Sequence, residues 1–268
     1  MPHVTSPDGT AIGYDHLGGD GPAVVLVGGG LDDGAENVPL GEQLAAAGFA
    51  VVNYRRRGRG DSGDTPPYAL RREIEDLAAV IDAAGGRAHL FGASSGGALA
   101  LEAAAAGLPI DRIAAHEVPY QVGDELVRVW QRYVADLTTA LDTGDRDGAL
   151  RLFMRLAGSP DEAVEGAAVS PVWPALLELA PTLRYDAACL GEGPPPADRL
   201  ATVAQPVLLT TGATADPHSA GLPVDFFGAA ADATAALLPD ARRRTFEVAG
   251  HVADPAVLGP LLADFYRA

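Results

Sequence analysis

The sequence predicts an α/β chain: a mostly parallel central sheet flanked by helices, with an inserted helical lid. Three observations carry that prediction. Short apolar runs bounded by glycine and proline alternate with longer stretches of helical periodicity, the pattern of strands joined through crossover helices. The alternation breaks once, over residues 121–200, where helical spacing continues without a convincing strand. Finally, 268 residues with 48% apolar content bury one substantial core, so a single domain with an insertion is expected.

In chain order, Ala11 to His16 reads as a half-buried strand paired in antiparallel fashion with residues near His3. The strand Ala23 to Val27, the helix Glu36 to Ala47, the strand Ala50 to Tyr54 and the helix Leu70 to Ala84 follow. Next come a strand at Ala88 to Phe91, a helix at Gly97 to Ala106 and a strand at Ile113 to Ala115. The inserted stretch then carries Leu126, Val129, Trp130, Tyr133 and Leu137 at helical spacing, followed by Leu150, Phe153 and Met154 and several prolines. The sheet resumes with Val207 to Thr210, a helix from Phe226 to Leu238, a strand from Arg243 to Val248 and a closing helix from Pro255 to Tyr266. The core is therefore expected at 1–120 and 201–268, with the lid at 121–200. No repeat of 20 to 50 residues is visible, which excludes solenoids and propellers.

Composition narrows the chemistry. A net charge of −17 repels phosphate backbones and anionic lipid surfaces, so neither nucleic acid nor membrane is an expected partner. All nineteen basic residues are arginine. The lack of lysine excludes a phosphate-loop lysine, a Schiff base and a Ser-Lys dyad. The single cysteine, Cys189, excludes an intrachain disulfide and a multi-cysteine zinc site. No apolar run reaches the roughly 18 residues of a membrane span, and residues 1–10 lack the features of a secretion signal. The expectation is a soluble, cytoplasmic protein acting on a small molecule without cofactor or metal.

Gly92-Ala93-Ser94-Ser95-Gly96 falls where a strand turns directly into a helix. A serine at the tip of such a turn has a strained backbone, and flanking glycines let strand and helix approach closely. With seven serines and 32 glycines in the chain, about 0.1 accidental matches to this spacing are expected, and Ser94 alone satisfies it. The N–H of Ser95, at the start of that helix, is a natural donor to an oxyanion formed by attack of Ser94.

A serine hydroxyl needs a base, and histidine titrates near neutrality. Of six histidines, His251 follows the last predicted strand by three residues, in a loop that brings its ring to the carboxyl edge of the sheet beside Ser94. The acid that must orient the imidazole has two candidates. Asp216 lies beyond the strand Val207 to Thr210, and Glu117 immediately follows the strand Ile113 to Ala115. Both satisfy the chain order serine, acid, histidine.

On these residues the whole chain resembles the α/β-hydrolase fold family. The strand ending Val27-Gly28-Gly29-Gly30, the loop Arg55 to Ser62, the Ser94 elbow, the insertion and the terminal histidine fall in that family's order. Serine at the elbow resembles its esterases, lipases, thioesterases and C–C bond hydrolases, and departs from the dehalogenases and epoxide hydrolases that carry aspartate there. The resemblance implies Gly30 as a second oxyanion donor, because a His-Gly pair of the family corresponds to Gly28-Gly29. It implies Asp216 through a Gly-x-x-Asp-Pro turn, although this chain has one extra residue, and other members take the acid from the position of Glu117.

Three features are read as decoys. Gly58-Arg59-Gly60-Asp61-Ser62-Gly63 fits a dinucleotide-binding spacing, but Pro66-Pro67 follows where a helix should open. Asp32 and Asp33 lack spaced partners for a metal and are expected as solvated surface or a helix cap. Arg55 to Arg57 with Arg59 are expected to pair with nearby acids, the alternative being attraction of an anionic substrate. Trp130, Tyr133, Phe153, Met154, Trp173 and Tyr185 place aromatic and apolar bulk in the lid, which favours an apolar, neutral substrate. The expected activity is hydrolysis of an ester, thioester or similar acyl bond through an acyl-enzyme. C–C cleavage or cyclisation on the same scaffold, and a non-catalytic receptor, are the alternatives.

Overall fold

The computed structural model describes residues 2–214, 219–249, 251 and 254–268. Among them, one sheet has the strand order β1-β2-β4-β3-β5-β6-β7-β8. The strands are β1 (His3–Thr5), β2 (Ala11–His16), β3 (Ala23–Val27), β4 (Ala50–Tyr54), β5 (Ala88–Ala93), β6 (Ile110–His116), β7 (Val207–Thr214) and β8 (Ala241–Ala249). The pairings of β1 with β2 and of β2 with β4 are antiparallel, and every later pairing is parallel.

Parallel strands are buried on both faces, and the register shows it. Val25, Val27, Val52, Leu90, Ile113 and Leu209 pack on one side with helices α2 (Leu70–Ala83), α3 (Ser95–Ala105) and α10 (Phe226–Ala235). Their neighbours Val24, Leu26, Val51, Phe91, Ala114 and Leu208 pack on the other, against α1 (Val38–Ala46) and α11 (Pro255–Arg267). The two-residue period of a strand divides each apolar run between two cores.

Between β6 and β7 the described chain forms α4 (Asp124–Asp142), α5 (Arg146–Leu156), α6 (Asp161–Ala168), α7 (Trp173–Leu179), α8 (Leu183–Leu190) and the short α9 (Ala197–Leu200), with no strand among them. Trp130, Tyr133, Leu137, Leu150 and Leu183 join the α2/α3 core, so the segment is fastened to that face by apolar burial.

The strand order also locates a crevice. From β3 the chain crosses to β4 on one side, whereas from β5 it crosses to β6 on the other, and β3 and β5 are adjacent with Val27 opposite Gly92. Loops leaving the carboxyl ends of two such strands diverge and leave a cleft between them. The residues after Val27 and after Ala93 border it.

Candidate active site

Ser94 stands between the end of β5 and the start of α3, with φ 52° and ψ −125°. That region is costly for a residue with a side chain, of order 1–3 kcal/mol, and survives only where the surroundings enforce it. The glycines show how they do so. A Cβ on Gly92 would stand 2.5 Å from the Gly96 carbonyl oxygen, and one on Gly96 would stand 2.3 Å from that of Val27. Strand, turn and helix therefore meet at distances open only to glycine. The Ser94 N–H donates to the His116 carbonyl at 2.8 Å, tying the turn to the end of β6.

Ser94, Ser95, Gly29, Gly30 and His251 line one cavity of about 680 Å³. As the first residue of α3, Ser95 carries a backbone N–H outside the helical ladder. A Cβ on Gly29 would lie 3.1 Å from the Ser94 Cβ, which shows how closely the loop after β3 passes the serine.

His251 Nδ1 lies 2.8 Å from Glu117 Oε2. Glu117 follows β6 with φ 47°, is buried, and accepts the Gly212 N–H on Oε1 at 2.9 Å. Among the described residues each carboxylate oxygen thus has one partner, and the Phe227 ring stacks on the imidazole at 5.1 Å between centroids. Of the two carboxylates expected to compete for the histidine, Glu117 is brought to it. Asp216 lies outside the described residues.

The arginine run is internal. Arg55, Arg56, Arg57 and Arg59 are at most 5% exposed and paired with acids, so they present no positive patch to an anionic substrate. Arg56 grips Glu73 with two nitrogens at 2.6 and 2.8 Å and reaches Asp186 Oδ1 at 2.7 Å. Arg59 also bonds Asp186 Oδ1 at 2.7 Å and donates to the Gly29 carbonyl. Burial would raise both carboxyls, but the guanidinium groups of Arg59 and Arg56 hold Asp186 below its ordinary value, and Arg56 does the same for Glu73. In the loop Gly58 to Gly63 the backbone N–H groups of Gly58, Arg59, Ser62 and Gly63 donate to carbonyls of the chain itself, as in a structural connection after β4 rather than a phosphate cradle.

Asp32 differs from its expectation as solvated surface or helix cap. It is buried and accepts the N–H groups of Gly34 and Glu36 and the Asn37 amide, because the loop after β3 needs an internal acceptor where it has no strand partner. Trp130, Tyr133, Phe153 and Met154 line the cavity as the apolar reading of the insertion suggests, whereas Trp173 and Tyr185 do not. Tyr185 instead stacks on Tyr68 at 3.8 Å and donates to Asp64, fastening α8 to the loop before α2.

Asp186 is the residue that sequence reasoning missed. Its one signal is a lone acid in Tyr185-Asp186-Ala187-Ala188-Cys189-Leu190, an otherwise apolar turn and a half of helix.

A family model described as the alpha/beta hydrolase family matches residues 23–258. An alpha/beta hydrolase from Sphaerobacter thermophilus is 42% identical, with a TM-score of 0.86 over 99% of this chain and 100% of that one. The enol-lactonase from Burkholderia xenovorans is 21% identical, with a TM-score of 0.72 over the whole of both chains. A thermophilic esterase from Thermogutta terrifontis is 20% identical, with a TM-score of 0.71 over 99% of this chain and 97% of that one. No functionally curated protein matches the chain in sequence.

Proposed function

Because the chain belongs to the alpha/beta hydrolase family, we propose that it is a serine hydrolase cleaving a carboxylic ester, thioester or similar acyl bond of a mainly apolar small molecule. The observation that carries this reading is the buried carboxylate of Glu117 held 2.8 Å from His251 Nδ1, on a ring that borders the same cavity as the elbow serine. Ser94 is the nucleophile. With Nδ1 engaged by Glu117, Nε2 takes the Ser94 proton as the hydroxyl attacks the carbonyl carbon, and Glu117 stabilises the imidazolium that results. The carbonyl oxygen, now negative, accepts from the N–H groups of Gly30 and Ser95. The imidazolium returns its proton to the leaving group, and water attacks the acyl-enzyme by the same route in reverse. Each step is proton transfer or acyl transfer, and none calls for a cofactor.

Residues 121–200 act as a lid in this reading, since they supply much of the apolar wall facing the serine. Leu126, Val129, Trp130 and Leu190 come from the insertion, and Phe226 and Leu258 from the core. Two of the similar structures are named as an enol-lactonase and an esterase, and that likeness supports the choice of bond. A lone, buried cysteine is at home in a reducing compartment, which fits a cytoplasmic location.

The test is covalent. A fluorophosphonate probe is expected to label the wild-type protein on Ser94 and to leave Ser94→Ala unlabelled. An unlabelled wild type, or equal labelling of both proteins, would refute the assignment.

A further inference from the structure

In an acyl transfer of this kind the oxyanion donors must be aimed before the reaction begins, since reorienting them during attack forfeits most of their benefit. The two expected donors belong to different segments. Gly30 lies in the loop after β3, and Ser95 opens α3. Nothing in either segment's own secondary structure fixes them relative to one another.

One carboxylate oxygen joins them. Asp186 Oδ1 accepts the Ser95 hydroxyl at 2.6 Å, Arg59 Nη2 at 2.7 Å and Arg56 Nη1 at 2.7 Å. Through its other terminal nitrogen, Arg59 donates to the Gly29 carbonyl, and Arg56 Nη1 reaches the Gly28 carbonyl at 3.3 Å. In a trans peptide the C=O and N–H point in opposite directions. Holding the Gly29 carbonyl against the buried guanidinium therefore turns the N–H of Gly30 the other way, and Gly29 and Gly30 both border the cavity that holds Ser94. The same carboxylate oxygen, through the Ser95 side chain, fixes the residue that supplies the second N–H.

We infer that Asp186, acting through Arg59 and Ser95, is a positioning residue that pre-sets the oxyanion hole from the inserted helical segment. The geometry has a directional consequence. Asp186 lies on α8, so the hole is fully ordered only while that helix is docked on the core, where Tyr185 and Cys189 are also in contact with it. Arg56 and Arg59 against Glu73 and Asp186 sum to zero formal charge, so the device orients peptides without placing a net charge beside the developing oxyanion.

This inference rests on the serine-hydrolase reading, and the experiment separates the two. Wild type, Ser94→Ala, Asp186→Ala and Asp186→Asn are compared on a short-chain p-nitrophenyl ester and in the rate of fluorophosphonate labelling. Affinity for an aryl trifluoromethyl ketone, whose serine adduct carries an oxyanion, is measured alongside. Asp186→Ala is expected to lower kcat by about 10²-fold with KM changed less than about threefold, and to weaken the ketone in parallel with kcat/KM. Asp186→Asn should recover about tenfold of the loss. Three donors converge on Oδ1, so the amide oxygen must take that position and the hydrogen bonds survive without the charge. A merely structural residue would lower the melting temperature and leave the kcat of the folded enzyme unchanged. That result, or a loss confined to KM, overturns the inference.

Should Asp186→Ala fail to fold, Ser95→Ala removes a single hydroxyl and carries the test: about tenfold lower kcat is expected, and unchanged kcat overturns the inference. A wild type that neither labels nor turns over refutes the serine-hydrolase reading, and the inference falls with it. A wild type and an Asp186→Ala that label at equal rates refute the inference alone.

Discussion

Glu117→Gln discriminates sharply between candidate triads because the surroundings dictate how the new amide must sit. The Gly212 N–H donates to Oε1, so in the variant the amide oxygen occupies that position and the NH₂ group replaces Oε2. A donor then faces His251 Nδ1 at a 2.8 Å separation built for an acceptor. The imidazole responds by accepting there and carrying its proton on Nε2, the nitrogen that must be unprotonated to activate Ser94. A wrong tautomer of this kind costs a serine triad about 10⁴-fold in kcat, or about 5.4 kcal/mol at 1.36 kcal/mol per tenfold. The side chain is 6% exposed, so water cannot substitute for the lost acceptor. The assay is kcat on an activated ester, with folding checked by thermal melt, alongside Asp216→Asn. A loss below about tenfold for Glu117→Gln, or a larger loss for Asp216→Asn, would refute the assignment of Glu117 as the orienting acid.

Two further outcomes concern stability. Arg56→Met should cost about 3–5 kcal/mol in urea denaturation, since it strands the buried carboxylate of Glu73 without its cation and leaves Asp186 to Arg59 alone; a cost under about 1 kcal/mol would contradict that account. Asp8, paired with Arg57 at 3.0 Å, is raised by burial but brought down to about 2 by hydrogen bonds from Thr10 and Arg57. Its depressed folded value means that the stability it contributes is complete above the ordinary carboxylate value of 3.8 and is lost as pH falls towards about 2. Asp8→Asn should therefore be less stable than wild type at pH 6, with the difference closing by pH 2 in parallel thermal melts.

The strands were legible because parallel pairing buries both faces, and an apolar run bounded by breakers survives in sequence as a single block. Where polar residues interrupt a run the edge is hidden: β6 begins at Ile110, but Asp111 and Arg112 delay the apparent start to Ile113. Helix α3 begins at Ser95 rather than Gly97, since glycines conceal a helix that the elbow itself starts. Ser94 and His251 could be expected at one edge of the sheet because each follows the end of a strand, and both line the same cavity. The partners of the arginines could not be picked out in this way. Glu73, Asp76 and Asp186 stand 17, 19 and 130 residues from the guanidinium groups they meet, and no local pattern encodes such a pairing. The Glu117–His251 contact spans 134 residues and depends on the relative depth of two strand ends, which order along the chain leaves undetermined.

The use of arginine alone as the basic residue has a geometric consequence in this fold. Arg56 binds Glu73 through Nε and Nη2 while its Nη1 meets Asp186, the Ser95 hydroxyl and the Gly28 carbonyl. Arg59 spans the Gly29 carbonyl and Asp186 with its two terminal nitrogens. A planar fork of fixed donors holds a carboxylate and a peptide carbonyl at a set angle, whereas the three donors of an ammonium rotate on a flexible stem. Lysine at either position would keep the charge and lose the angle between the two bonds. What links α8 to the loop after β3 is thus the fixed geometry of the guanidinium together with its charge, which the buried acids balance.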